Sequence, residues 1–269
     1  IPALANSTYT WTVPPGWTIV SGANTNIITV IPGTTGGIIT AREANTCADL
    51  RDTITVGTSP PTVAGRVTGD NTVCAGINST ALVLSGEAGN ILKWVSSTDG
   101  VNWSDIDNTT HNYTALNIDA TTQYRAVIQN GGGCSVDTST ASIVTVNPRS
   151  FGGVLSPGDL SVCSAQTQHN LISLDGSTGQ VQNWQYSYDN TSWNSFSPVN
   201  TNTQYNANTV NQTTYYRTLV KSGICPPDTS AVARVQYINV PFPAATITPG
   251  AASICYGTGT PVNVTITSG

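Results

Sequence analysis

Two tryptophans nine residues apart, Trp94 and Trp103, recur as Trp184 and Trp193, and each pair has a cysteine before it and another after it. The leading cysteine falls at Cys74, Cys163 and Cys255, in steps of 89 and 92 residues. The trailing one falls at Cys47, Cys134 and Cys225, in steps of 87 and 91. A period near 90 is too long for a solenoid repeat and suits one small, independently folding β-domain, so the sequence reads as beads on a string.

The copies align at many points. Val73-Cys74-Ala75 matches Val162-Cys163-Ser164 and Ile254-Cys255-Tyr256, Lys93-Trp94 matches Asn183-Trp184, and the turn pair Asp99-Gly100 matches Asp189-Asn190. Tyr124-Arg125 and Tyr216-Arg217 open a later strand. This register divides the chain into a partial unit at 1–61, complete units at 62–148 and 149–241, and the start of another at 242–269. Ile1 is no initiator methionine and Met is absent, so the chain is expected to be an internal stretch of something longer.

The local pattern is that of strands. Tyr124, Ala126 and Ile128 alternate with Arg125, Val127 and Gln129, and Val262, Val264 and Ile266 with Asn263, Thr265 and Thr267, the two-residue period of a strand with one buried face. No segment shows helical periodicity, and turn residues such as Asp99-Gly100, Gly36-Gly37 and Ser222-Gly223 punctuate the chain at the spacing of a sandwich. The fold class is therefore all-β, each domain two packed antiparallel sheets. Trp11, Trp94 and Trp184 belong on the third strand, between the sheets, and with Tyr124 and Tyr216 form the expected core aromatics.

Six cysteines at two fixed points of a repeat suggest disulfides, and hence an oxidising, extracellular setting. The preferred pairing is within each unit, Cys74 with Cys134 and Cys163 with Cys225, with Cys47 and Cys255 taking partners outside the chain. A loop of that length, once closed, stabilises a small domain by about 4 kcal/mol. A competing pairing joins neighbours: Cys47 with Cys74, Cys134 with Cys163 and Cys225 with Cys255.

Charged residues are 9% of the chain against about 25% in ordinary domains, and Lys occurs only at 93 and 221. A net charge of −5 supplies no basic patch, which argues against nucleic-acid or anionic-membrane partners. No apolar run is long enough to span a membrane, so no membrane insertion of this segment is expected. The only histidines, His111 and His169, sit at non-equivalent positions and read as surface residues. The acidic cluster Asp99, Asp105 and Asp107 lacks the spacing of a calcium loop. With no nucleophile, metal set or acid–base constellation, neither an enzyme nor a cofactor is expected. Asn-x-Ser/Thr acceptors at Asn6, Asn78, Asn102, Asn108, Asn112, Asn190, Asn211 and Asn263 follow from the Asn- and Thr-rich composition.

Residues shared by the copies are scaffold, so function is expected where they differ. Trp184, Tyr186 and Tyr188 share one strand face, and the first copy has Ser96 and Thr98 in place of the two tyrosines. Tyr186 and Tyr188 are thus the candidate ligand contacts, suited to a sugar ring or another protein surface.

The string Trp184-x-x-Ser187-x-Asp189-x-x-x-Trp193, with Thr213-Thr214-Tyr215-Tyr216-Arg217 and Ser222-Gly223-x-Cys225, resembles the immunoglobulin-like repeats of very large Bacteroidetes surface adhesins. The opening Tyr9-Thr10-Trp11-Thr12-Val13-Pro14-Pro15-Gly16-Trp17 is similar to the PKD-like domain of the same family, the SprB-type gliding motility adhesins. The resemblance implies tandem immunoglobulin-like β-sandwich domains arranged as beads on a string, type IX secretion, display on the cell outer surface, and adhesion to surface glycans, a substratum or other surface proteins. A carbohydrate-binding accessory region of a large secreted polysaccharide-degrading enzyme is the alternative it leaves open.

Overall fold

Thr, Val, Ile and Tyr in alternation give strands, and glycine with Asx turns ends them. In a computed structural model, which describes residues 6–163, 170–208, 210–239, 246–249 and 264–267, every regular element is a β-strand. Among these residues no helix is long and apolar enough to cross a membrane. His169, Cys255 and Asn263, with most of 242–269, lie outside the described residues. The chain divides into two units, 1–146 and 147–269.

The first unit holds two modules. In the N-terminal one, strands Thr8–Thr12, Gly37–Ala44 and Asp49–Val56 form an antiparallel sheet, with Gly37–Ala44 in the middle. Its tight hairpin is held by Asn45, whose Oδ1 accepts the amides of Cys47 and Ala48 at 2.8 and 2.9 Å. The buried aromatic here is Tyr9, and the expected core residue Trp11 is only partly covered, its Nε1 donating to the Thr25 carbonyl at 2.8 Å. Both side chains point to one face, but Trp11 stays only half-buried.

The second module is a sandwich. One sheet runs in the order Ser104–Ile106, Asn90–Ser97, Thr122–Gln129, Ser142–Asn147, Asn71–Cys74, and the other in the order Asn112–Leu116, Ser79–Ala88, Val63–Thr68. The second unit repeats this arrangement: Asn194–Ser195, Gln180–Ser187, Thr214–Lys221, Ala233–Ile238 and Asp159–Cys163 face Val154–Ser156, Leu171–Asp175 and Gln204–Asn206. In it the early strand Asp159–Cys163 runs parallel to the last, with Cys163 opposite Ile238. Thr246–Pro249 and Val264–Thr267 add an antiparallel pair.

Trp94 and Trp184 fill the two sandwich cores, both wholly buried. Each indole satisfies its one donor on a backbone carbonyl, Thr110 at 2.9 Å and Asn202 at 2.8 Å. Tyr124 and Tyr216 are buried beside them. The second tryptophans lie on the outer face, half-buried under arginine: the guanidinium of Arg125 sits 4.5 Å from the ring centre of Trp103, and that of Arg217 is 4.1 Å from Trp193. Arg217 Nε also donates to Gln185 at 2.8 Å. The first copy has Val95 at the corresponding place, and Arg125 Nε is buried without a bond.

The within-unit disulfides are not formed. Cys134 and Cys163 are free thiols, as is the exposed Cys47, while Cys74 and Cys225 are disulfide-bonded. The reason lies in the sandwich itself. Cys163 ends a strand running beside the outgoing strand of its repeat, whereas Cys225 packs at the incoming end, its Sγ 3.2 Å from the carbonyl oxygen of Pro148. Cys74 likewise ends a strand beside the outgoing Ser142–Asn147, while Cys134 Sγ donates to Pro60 at 3.3 Å, at the entry to its module. The two cysteines of a repeat therefore sit at opposite poles, and Cα atoms more than about 7 Å apart cannot be bridged. The neighbour pairing fails equally at Cys47, Cys134 and Cys163.

Candidate functional site

Asp99, Asp189 and Asp105 are spent on structure, while Asp107 is exposed. Asp99 closes the turn after its strand, its carboxylate accepting the amides of Val101 and Asn102 at 2.8 Å, the Asn102 side chain at 2.7 Å and Ser97 Oγ at 2.9 Å. Asp189 does the same with Thr191, Ser192 and Ser187. Asp105 pairs with Lys93 at 2.7 Å. Among the described residues no group of three His, Cys, Asp or Glu is placed to hold a metal. His111 is largely exposed and meets Glu87 at 2.6 Å.

Hydrogen bonds from Asn102 first, then from the turn amides, hold the Asp99 carboxyl well below its ordinary value of 3.8, and the amides of Ser192 and Thr191 do so for Asp189. A carboxylate whose folded value is depressed stabilises the fold above the unfolded value, and that contribution disappears as pH falls through the folded one. Thermal stability is therefore expected to be flat from neutral down to about pH 4 and to fall below it. Replacing Asp99 and Asp189 by Asn should flatten the acid limb in a melting series.

A concave feature of about 790 Å³ lies on the second repeat. Its floor is a chain of aromatic rings. Tyr186 and Tyr188 meet edge-on with ring centres 5.5 Å apart, Tyr186 and Phe196 are 5.9 Å apart, and Phe196 stands edge-on to Tyr205 at 4.8 Å. Tyr205 in turn contacts Tyr216 at 5.3 Å and the core tryptophan Trp184 at 5.6 Å. The wall is the segment Ser195–Asn202, and Val210 and Asn211 also line the cleft. Burial pushes the Tyr216 phenol above its ordinary range, helped by Tyr205, and burial raises Tyr205 as well. Both are thus neutral hydroxyls at the bottom of the cleft, while Tyr188 is 54% exposed at its mouth.

The structure thus brings together the two tyrosines singled out from sequence and adds Phe196 and Tyr205, which sequence reasoning missed. The signal for Phe196 was present: it aligns with Ile106 of the first copy, the same contrast that revealed Tyr186 and Tyr188.

Two stretches, 63–148 and 152–239, match the model of a domain of unknown function, DUF8696. The chain belongs to the DUF8696 family. Residues 1–56 match a PKD-like domain. A comparison with curated proteins found no match. Among solved structures, a three-immunoglobulin fragment of titin, an E-to-A variant, is 12% identical with a TM-score of 0.50, covering 87% of this chain and 89% of its own. The N-terminal four immunoglobulin domains of Dscam1 isoform 6.9 are 8% identical with a TM-score of 0.37, over 86% of this chain and 64% of theirs. Extracellular domains 3–5 of Drosophila OTK are 10% identical with a TM-score of 0.36, over 88% and 86%. At such identities the titin likeness speaks for the fold alone: the DUF8696 repeats are tandem immunoglobulin-like sandwiches.

Proposed function

We propose that this chain is a repeat segment of a secreted, cell-surface adhesin, serving as stalk and as multivalent adhesive surface, in attachment or gliding motility. The observation that carries the reading is duplication with localised divergence. Both repeats keep the buried tryptophan, its carbonyl partner and the Ser-Asp turn, while one end of the second is rebuilt with aromatic residues. A scaffold copied in series supplies reach, and many weak sites on one chain raise avidity by about 10² to 10⁴ without any strong contact. Disulfide-bonded Cys74 and Cys225 fit an extracellular location. The resemblance to SprB-type adhesins adds type IX export and partners among surface glycans, the substratum or other surface proteins. Catalysis has no support among the described side chains, and 9% charged residues with a net charge of −5 argue against a nucleic-acid partner.

The aromatic cleft favours a second reading, a carbohydrate-binding accessory region of a polysaccharide-degrading enzyme. The two separate by a deletion. Removing residues 62–241 from the parent protein is expected to lower cell attachment with secretion unchanged, and antibodies to those residues are expected to label intact cells. Normal attachment with impaired polysaccharide hydrolysis would transfer the assignment to the enzyme.

A further inference from the structure

The two repeats provide an internal control for what the fold requires. The first copy builds its core on Trp94, Tyr113 and Tyr124, with ring centres 5.7 and 5.6 Å apart along the series, and needs no further ring. The second copy keeps the equivalent Trp184, Tyr205 and Tyr216, and then places Tyr186, Tyr188 and Phe196 where the first has Ser96, Thr98 and Ile106. Its wall is also two residues longer: the indole of Trp94 reaches a carbonyl 16 residues on, that of Trp184 one 18 residues on. Neither the added rings nor the added wall is needed to close the sandwich, and together they make the cleft.

The chemistry of the lining restricts what it takes. Every lining residue is aromatic, aliphatic, proline, hydroxyl or amide, with no Asp, Glu, Lys or Arg among them. Arg217, the nearest cation in sequence, is engaged on the opposite face, over Trp193 and against Gln185. An ionic ligand entering the cleft would lose hydration and gain no counter-charge there. The exposed ring of Tyr188 and the half-buried ring of Tyr186, beside amides and hydroxyls, suit a ligand that is apolar on one face and rich in hydroxyls at its rim, and the volume lies within the usual range of ligand sites.

We infer that this cleft binds a neutral glycan, a hexopyranose ring stacking on the exposed ring of Tyr188 with Tyr186 edge-on beside it, while Asn200, Asn202 and Asn211 meet its hydroxyls. The inference rests on the adhesive reading and gives it a ligand class. The first copy, with Ser96 and Thr98, is a spacer by the same criterion.

The test is titration of the whole chain, followed by tyrosine fluorescence and calorimetry, with neutral oligosaccharides, uronate-bearing oligosaccharides and a proline-rich peptide. Neutral fragments of environmental polysaccharides and neutral N-glycan fragments form separate arms, which distinguish the source of the ring. The variant carries Tyr186→Ser with Tyr188→Thr, the residues with which the first copy already folds. Saturable binding of a neutral oligosaccharide is expected, weakened at least about ten-fold in the variant, a factor worth about 1.4 kcal/mol, with an unchanged melting curve. A silent neutral panel, preference for the acidic sugars, capture of the peptide alone, or a variant that binds as the parent does would each overturn the inference. Silence would leave the stalk reading intact, since that depends on serial unfolding and on cell attachment.

Discussion

Trp184→Ala is expected to destabilise the second repeat by about 3–5 kcal/mol, a large part of what holds a domain of this size together. The side chain is wholly buried, sits among Val181, Ala207, Tyr216 and Val235, and donates its Nε1 to Asn202. Its removal leaves a cavity and an unpaired carbonyl, two separate penalties. In a urea titration the transition of the second repeat should move to lower denaturant while that of the first, packed around Trp94, shifts far less. Trp193→Ala provides the contrast. It loses the stack under Arg217 but leaves the core filled, so its cost should stay near 1 kcal/mol. Equal effects at the two tryptophans would contradict the assignment of Trp184 to the core and Trp193 to the rim.

Gly179→Ala is the second large effect. The residue stands just before the strand Gln180–Ser187 with φ of +119°, a conformation that side chains rarely adopt, and Gly89 occupies the same place in the first repeat at +139°. An added Cβ at Gly179 would lie 2.6 Å from the backbone carbon and oxygen of Lys221, atoms of the paired strand that have no room to move. Backbone strain alone costs about 1–3 kcal/mol, and the collision adds to it by forcing apart the two central strands of the sheet. Gly176→Ala separates the contributions, because its φ is +67° but a Cβ there would meet nothing within 4 Å. It should lose only about 1–2 kcal/mol. A melting series in which the two glycine variants behave alike would show that close approach at residue 179 is not what selects glycine.

Particular residues show what the sequence made legible. The sandwich could be read from alternation in Tyr124–Ile128 and from turns such as Asp99-Gly100, because these are local effects whose causes lie within a few residues. Tyr186 and Tyr188 were visible through the difference between copies. Phe196 and the longer Ser195–Asn202 wall lie on the same cleft, yet they come from a neighbouring strand and loop, and only the pairing of Asn194–Ser195 with Gln185 and Tyr186 brings them there. The cysteines were read wrongly for a related reason. Loop entropy rewards closing any long loop, whereas which pole of the sandwich each cysteine occupies depends on pairing as distant as Cys163 with Ile238. Trp11 failed as a core residue because alternation gives the face of a strand and not its coverage, and Tyr9, two residues away, takes the buried place.

The central claim is that the two sandwiches are separate folding cassettes strung in series. Single-molecule stretching of the chain with its disulfides reduced tests it most directly. Each repeat of about 90 residues should open as its own event and release close to 300 Å of chain, at about 3.4 Å per residue, giving two rips of nearly equal length beside a shorter one from the N-terminal module. One rip of twice that length, or featureless extension, would contradict the claim.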